Sequence, residues 1–155
     1  MSKKYDVAVV GATGAVGETM LSILAQRKFP VGKVYALASE RSAGKKVEFG
    51  DKMLTVESLA DFDFSKTQIG LFSPGASVSA EYAPKAAAAG CVVVDNTSQF
   101  RYDNDIPLVV PEVNPEAIKK HNGLIANPNC STIIMNVPVW PLHQVNKIKR
   151  IIVST

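Results

Sequence analysis

Val7-Ala8-Val9-Val10-Gly11-Ala12-Thr13-Gly14-Ala15-Val16-Gly17 decides the reading of this chain. A short β-branched run passes straight into a glycine turn and then into Gly14 to Arg27, where Val16, Met20, Ile23 and Leu24 recur at helical spacing until Phe29-Pro30 ends the pattern. Strand, glycine turn and helix in that order make a phosphate cradle, because the first N–H groups of a helix lack intrahelical partners and its dipole favours an anion there. Gly11 is expected to permit the tight turn, Gly14 to let the backbone approach a pyrophosphate, and Gly17 to allow close packing of helix on strand. The spacing departs from the usual G-x-G-x-x-G, so the flanking strand and helix carry the reading.

The same alternation continues outward. Val34 to Ala38, Ile69 to Phe72, Cys91 to Asp95 and Leu124 to Ala126 read as further strands, and Ser77 to Ala89 as an Ala-rich helix closed by Gly90. Pro115 to Lys120 fits a short helix capped by Asn114. Lys46 to Phe49 and Met53 to Val56, around Gly50-Asp51, read as a small hairpin outside the main sheet. Ile133 to Val137 suits a buried helix, which Pro138 and Pro141 should limit to two clean turns. Ile148 to Thr155 is β-prone and has no strand after it to pair with, so a truncated chain is expected. The fold class that follows is α/β, a doubly wound Rossmann-like parallel sheet with helices on both faces.

Composition narrows the function. A chain of 155 residues, 46% hydrophobic and 20% charged, can bury roughly 70% of its unfolded surface as one domain. A net charge of +3 with scattered lysines gives nucleic-acid binding no support, and the isolated His121 and His143 give metal binding none. Two cysteines far apart and an N-terminus without a secretory core point to the cytoplasm, with no membrane span.

Three loops carry candidate chemistry. Ser39-Glu40-Arg41-Ser42 follows the second strand, where NAD enzymes hold the ribose with a carboxylate. The Arg41 guanidinium suits a 2′-phosphate and favours NADP, Glu40 would serve a plain ribose, and a solvated loop is the alternative to both. Asp95 to Arg101 follows the fourth strand, and there Arg101, with Asn96 and Ser98, either clamps a phosphate or carboxylate or caps neighbouring carbonyls. Asn127-Pro128-Asn129-Cys130-Ser131-Thr132 places a thiol at the start of a helix, whose unpaired N–H groups favour thiolate over thiol. Cys130 is thus the candidate nucleophile, and Cys91, opening a buried run, is read as inert core.

Val9 to Gly17, Ser39 to Lys45, Asp95 to Arg101 and Asn127 to Thr132 together resemble bacterial aspartate-β-semialdehyde dehydrogenase, as the N-terminal part of a protein about twice as long. The related N-acetyl-glutamyl-phosphate reductases carry glycine and tyrosine around their cysteine, where this chain has Asn129 and Ser131. The resemblance implies NADPH-dependent reduction of aspartyl-β-phosphate on the route to lysine, threonine and methionine. It implies that Cys130 forms an acyl thioester, that Thr13, Gly14, Ala15 and Val16 hold the pyrophosphate, and that Arg41 and Ser42 hold the 2′-phosphate. Ser73 to Gly75 would line another cofactor edge, Arg101 would hold the substrate phosphate, and Asn96 and Asn129 would support the site. It divides the chain at residue 129 into an NADP-binding domain and, over 130–155, the nucleophile helix and first strand of a catalytic and dimerisation domain. His143 lies thirteen positions past Cys130, about 20 Å along a continuous helix, so the general base is expected outside this chain and the piece alone is expected to be inactive. The parent is expected to be a homodimer. The rival readings are the acetylglutamyl enzyme, a non-catalytic dinucleotide-sensing module and a purely structural scaffold.

Overall fold

A computed structural model describes residues 3–155. Seven strands form one sheet in the order β3-β4-β2-β1-β5-β6-β7. They are β1 (Tyr5–Val10), β2 (Val31–Ala38), β3 (Lys46–Phe49), β4 (Lys52–Ser58), β5 (Ile69–Phe72), β6 (Val92–Asp95) and β7 (Leu124–Ala126). Every pairing is parallel except that of β3 with β4. Helices α1 (Ala15–Gln26), α2 (Ala76–Ala88) and α3 (Cys130–Val145) complete the regular structure, with 3-10 segments at Glu40–Ser42, Phe64–Lys66 and Pro115–Lys120.

The helices α1 and α2 cover opposite faces. Val7 and Val9 pack in one core with Leu21 of α1, whereas Ala8 and Val10 pack in the other with Ala83 and Ala86 of α2. Alternation along a strand sends successive side chains to opposite faces, so a strand buried on both sides must be apolar throughout, as Val7-Ala8-Val9-Val10 is.

The hairpin expectation needs correction. Ala36 to Ala38 of β2 pair in parallel with Val56 to Ser58 of β4, so the second hairpin strand is a full member of the main sheet and only β3 is an addition at its edge. Without β3, the parallel strands run in the dinucleotide-fold order 3-2-1-4-5-6.

Three further expectations fail locally. Asn114 holds the N-cap position of the 3-10 segment at Pro115–Lys120 but makes no side-chain cap bond; its side chain instead accepts from Val110 N–H at 2.8 Å and donates to the Leu108 carbonyl at 2.9 Å. The helix α3 runs 16 residues through Pro138 and Pro141 rather than two turns. The carbonyls those prolines leave without donors belong to Ile134 and Val137, both exposed, so water can take up the missing bonds. The run Ile148 to Thr155 is not a strand: it has no ladder partner, and Ile152 is 86% exposed. A strand exists only as half of a pair, so β propensity alone leaves this segment irregular.

Candidate active site

Strand order reverses between β1 and β5, the place where open α/β sheets receive ligands at their carboxyl ends. A cleft of about 610 Å³ opens there, and it brings together Gly11, Thr13, Gly14, Ser39, Arg41 and Ser73 of the expected cofactor residues. Ala15, Val16, Gly17, Ser42 and Gly75 are not among its lining residues. Glu40, Leu59, Val78 and Tyr82 are, and sequence reasoning missed the last three. Val78 and Tyr82 are four residues apart on α2, a spacing that marks one helix face without saying which cleft it borders.

The three glycines divide their work. Gly11 has φ +86°, and a β-carbon there would lie 2.6 Å from the Ser73 carbonyl oxygen, so this turn accepts no side chain. A β-carbon on Gly17 would overlap the Gly11 carbonyl oxygen, which is how α1 comes so close to the end of β1. Gly14 is different: it caps α1 in an ordinary extended conformation, with only the Gly11 oxygen at 3.5 Å from a β-carbon position. Its missing side chain leaves space on the side away from the protein. Ala15, Val16 and Gly17 open the helix, so their N–H groups have no intrahelical acceptor. Backbone donors at a helix start, beside a cleft that side chains would fill, fit a pyrophosphate.

Past β2, Arg41 and Glu40 occupy one 3-10 turn, and both line the cleft. Neither takes part in an ion pair among the described residues. Ser42 donates its N–H to the Ser39 carbonyl at 2.8 Å and closes the turn. Gly75, with φ +101°, caps α2 in open space.

A second cluster lies farther along the same edge. Val10, Phe72, Asp95 and Ala126 stand in register across β1, β5, β6 and β7, so the loop after β7 leaves the sheet about 14 Å from the glycine turn. Arg101 donates from Nε to the Asn127 carbonyl at 3.0 Å and from Nη2 to the Asn96 carbonyl at 2.9 Å. Asn127 Nδ2 donates to Asn96 Oδ1 at 2.7 Å. The two sequence readings of Arg101 are not exclusive: Nε and Nη2 cap carbonyls, while a guanidinium has five N–H donors and these two bonds leave others for an oxyanion. Ser98 is exposed, and its side chain makes no hydrogen bond in this cluster.

Cys130 is the first residue of α3, and it is exposed. Asn129 caps the helix, its Oδ1 accepting from Ser131 N–H at 3.0 Å and from the Ser131 hydroxyl at 2.7 Å, with Cys130 Sγ at 3.9 Å. Cys91 is the opposite case, 1% exposed, and burial pushes its thiol up against the lowering effect of the Thr67 hydroxyl. The histidines are occupied elsewhere: His121 Nδ1 accepts from Gly123 N–H at 3.0 Å, and His143, stacked on Trp140, accepts from Ile148 N–H at 3.2 Å. Among the described residues no group of three or more His, Cys, Asp or Glu is placed to hold a metal ion, and no helix is long and apolar enough to cross a membrane.

Comparison with known families matches residues 6–121 to the model described as semialdehyde dehydrogenase, NAD binding domain. The chain belongs to the semialdehyde dehydrogenase NAD-binding family. Aspartate-semialdehyde dehydrogenase of Shewanella violacea is 56% identical over 157 aligned positions, covering 100% of this chain and 46% of that protein. The chain thus spans about half the length of the curated relatives it matches. Aspartate semialdehyde dehydrogenase II from Vibrio cholerae, solved in complex with ASA, superposes with TM-score 0.93 at 55% identity over 96% of this chain and 49% of that one. The Candida albicans enzyme, solved with NADP, superposes with TM-score 0.79 at 28% identity over 94% of this chain and 48% of that one. This member of the semialdehyde dehydrogenase family therefore carries a nicotinamide-dinucleotide-binding domain, with the cleft at the reversal of strand order as its candidate cofactor site.

Proposed function

We propose that this chain is the NADP-binding portion of an aspartate-semialdehyde dehydrogenase, which reduces L-aspartyl-β-phosphate to aspartate β-semialdehyde and phosphate. One observation carries the reading: the glycine cradle and the exposed Cys130 at a helix start share the carboxyl edge of a single sheet. Identity of more than half to aspartate enzymes along the full chain favours it over the acetylglutamyl reductase.

Thr13 to Val16 bind the pyrophosphate through backbone N–H groups, and Gly11, Gly17, Ser73 and Gly75 shape the crevice around it. Arg41, with Ser39 and Ser42 in the same turn, takes the 2′-phosphate and selects NADP over NAD. When bound, the reduced nicotinamide supplies a hydride to the acyl carbon. The Cys130 thiolate attacks the acyl-phosphate carbonyl, forming a C–S bond as the C–O bond to phosphate breaks; after reduction the C–S bond breaks, sulfur keeps the electron pair, and the aldehyde leaves. Arg101 holds the departing phosphate, with Asn96, Ser98 and Asn129 supporting the site. Both histidines already accept backbone N–H bonds, which supports a base supplied by the part of the parent enzyme that this chain does not span. The division at residue 129, the homodimer of the parent enzyme and its place in the cytoplasm belong to the same proposal.

Incubation with aspartyl-β-phosphate in the absence of NADPH tests the covalent step. A mass increment on the Cys130 peptide, absent in Cys130→Ser, is expected; an equal increment in that variant contradicts the assignment.

A further inference from the structure

We propose that Asp95 is a positioning residue that holds the anion-binding arginine and the nucleophile turn in register with the cofactor crevice; the inference rests on the reading of Arg101 as the phosphate residue. Asp95 ends the apolar run Val92-Val93-Val94 and is 1% exposed. An apolar residue there would complete the strand without desolvating a carboxylate, so the acid calls for an explanation. Its two oxygens accept three hydrogen bonds. Oδ1 accepts from the Ser79 hydroxyl at 2.9 Å and from Thr97 N–H at 3.0 Å, and Oδ2 from the Thr97 hydroxyl at 2.7 Å.

The donors come from two directions. Ser79, itself fully buried, sits on α2 between Val78 and Tyr82, which wall the dinucleotide cleft. Thr97 sits in the loop that carries Asn96 and Arg101. Between Asp95 and Thr97, Asn96 has its direction fixed, and it gives its carbonyl to Arg101 Nη2 and its Oδ1 to Asn127 Nδ2. The backbone repeats the link, since Asn127 N–H donates to the Asp95 carbonyl at 2.8 Å. The carboxylate thus joins the helix beside the cofactor to the loop that aims Arg101, while the main-chain carbonyl of the same residue, with Asn96, holds the turn that leads to Cys130. Asp95 touches neither substrate nor cofactor in this account; it acts through Asn96.

Phosphorus NMR titration of the chain with inorganic phosphate tests this, with NADPH binding and thermal unfolding followed on the same samples. Removing one acceptor oxygen in Asp95→Asn is expected to weaken phosphate binding about tenfold, and Thr97→Val about threefold, while NADPH binding persists. Phosphate binding as tight in both variants as in the parent chain overturns the proposal and leaves the reading of Arg101 standing. Phosphate binding that is absent from the parent chain, or undiminished in Arg101→Ala, overturns the reading of Arg101 and the proposal with it. If Asp95→Asn does not fold, Thr97→Val decides alone: weaker phosphate binding supports the proposal, unchanged binding refutes it.

Discussion

The Ser73 carbonyl oxygen lies 2.6 Å from where a β-carbon on Gly11 would stand, so the turn after β1 and the turn after β5 are pressed together at the floor of the cleft. Gly11→Ala must therefore either shift two backbones or abandon its positive φ. Its cost is expected to be roughly 3 kcal/mol, read as a fall in thermal stability together with loss of dinucleotide binding. Gly14→Ala meets no such obstacle and is expected to cost no more than about 1 kcal/mol, alanine being the poorer N-cap, while NADPH affinity falls about tenfold as a methyl group intrudes on the anion. Equal stability loss in the two variants, measured by thermal unfolding, would contradict this division of roles.

Arg41 faces the cleft and has no ionic partner among the described residues, so its charge is available to a ligand. Arg41→Ala is expected to lower NADPH affinity about tenfold while leaving NADH affinity nearly unchanged, since only the former carries the 2′-phosphate. Fluorescence titration with both cofactors checks this, and a parallel loss for the two would remove Arg41 from the specificity reading.

The two thiols should separate cleanly. Cys91 is buried and pushed upward, whereas Cys130 is exposed. One equivalent of alkylating reagent per chain is expected in the native state and two after denaturation, counted by mass. For Cys91 the folded thiol titrates above its unfolded value, so its contribution to stability is fully present below the ordinary thiol range and is lost as pH rises through that range toward the folded value. Stability that declines in alkali less steeply in Cys91→Ala than in the parent chain is the corresponding observation.

Asn129 holds the first turn of α3 through Ser131, and no residue of α3 is buried. Asn129→Ala is expected to cost about 1 kcal/mol, confined to that helix. Hydrogen exchange at the first amides of α3 should speed up about fivefold, with the sheet amides unchanged.

The sheet was legible because its central run, Val7 to Val10, is buried on both faces and has nowhere else to go, and Val92 to Val94 is buried at Val93 and half-buried on either side of it. The hairpin misled because Met53 to Val56 alternates like an exposed strand: Met53 and Thr55 face solvent while Val56 lies in the core, and periodicity does not name the partner strand. Pro138 and Pro141 do not end α3: each removes a hydrogen bond and crowds the carbonyl four residues back, but those carbonyls belong to the exposed Ile134 and Val137, where water can take up the lost bond. Of the candidate site, the glycine cradle and Cys130 were legible from local motifs. Leu59, Tyr82 and Asn127 were not, because each enters through tertiary contact between segments far apart in sequence.

The alkylation rate of Cys130 at neutral pH, measured with and without NADP, bears most directly on the pairing of an activated sulfur with a docked coenzyme. The rate is expected to exceed that of a free thiol such as N-acetylcysteine and to change when NADP occupies the crevice. A rate equal to the free thiol, and indifferent to NADP, would contradict the account.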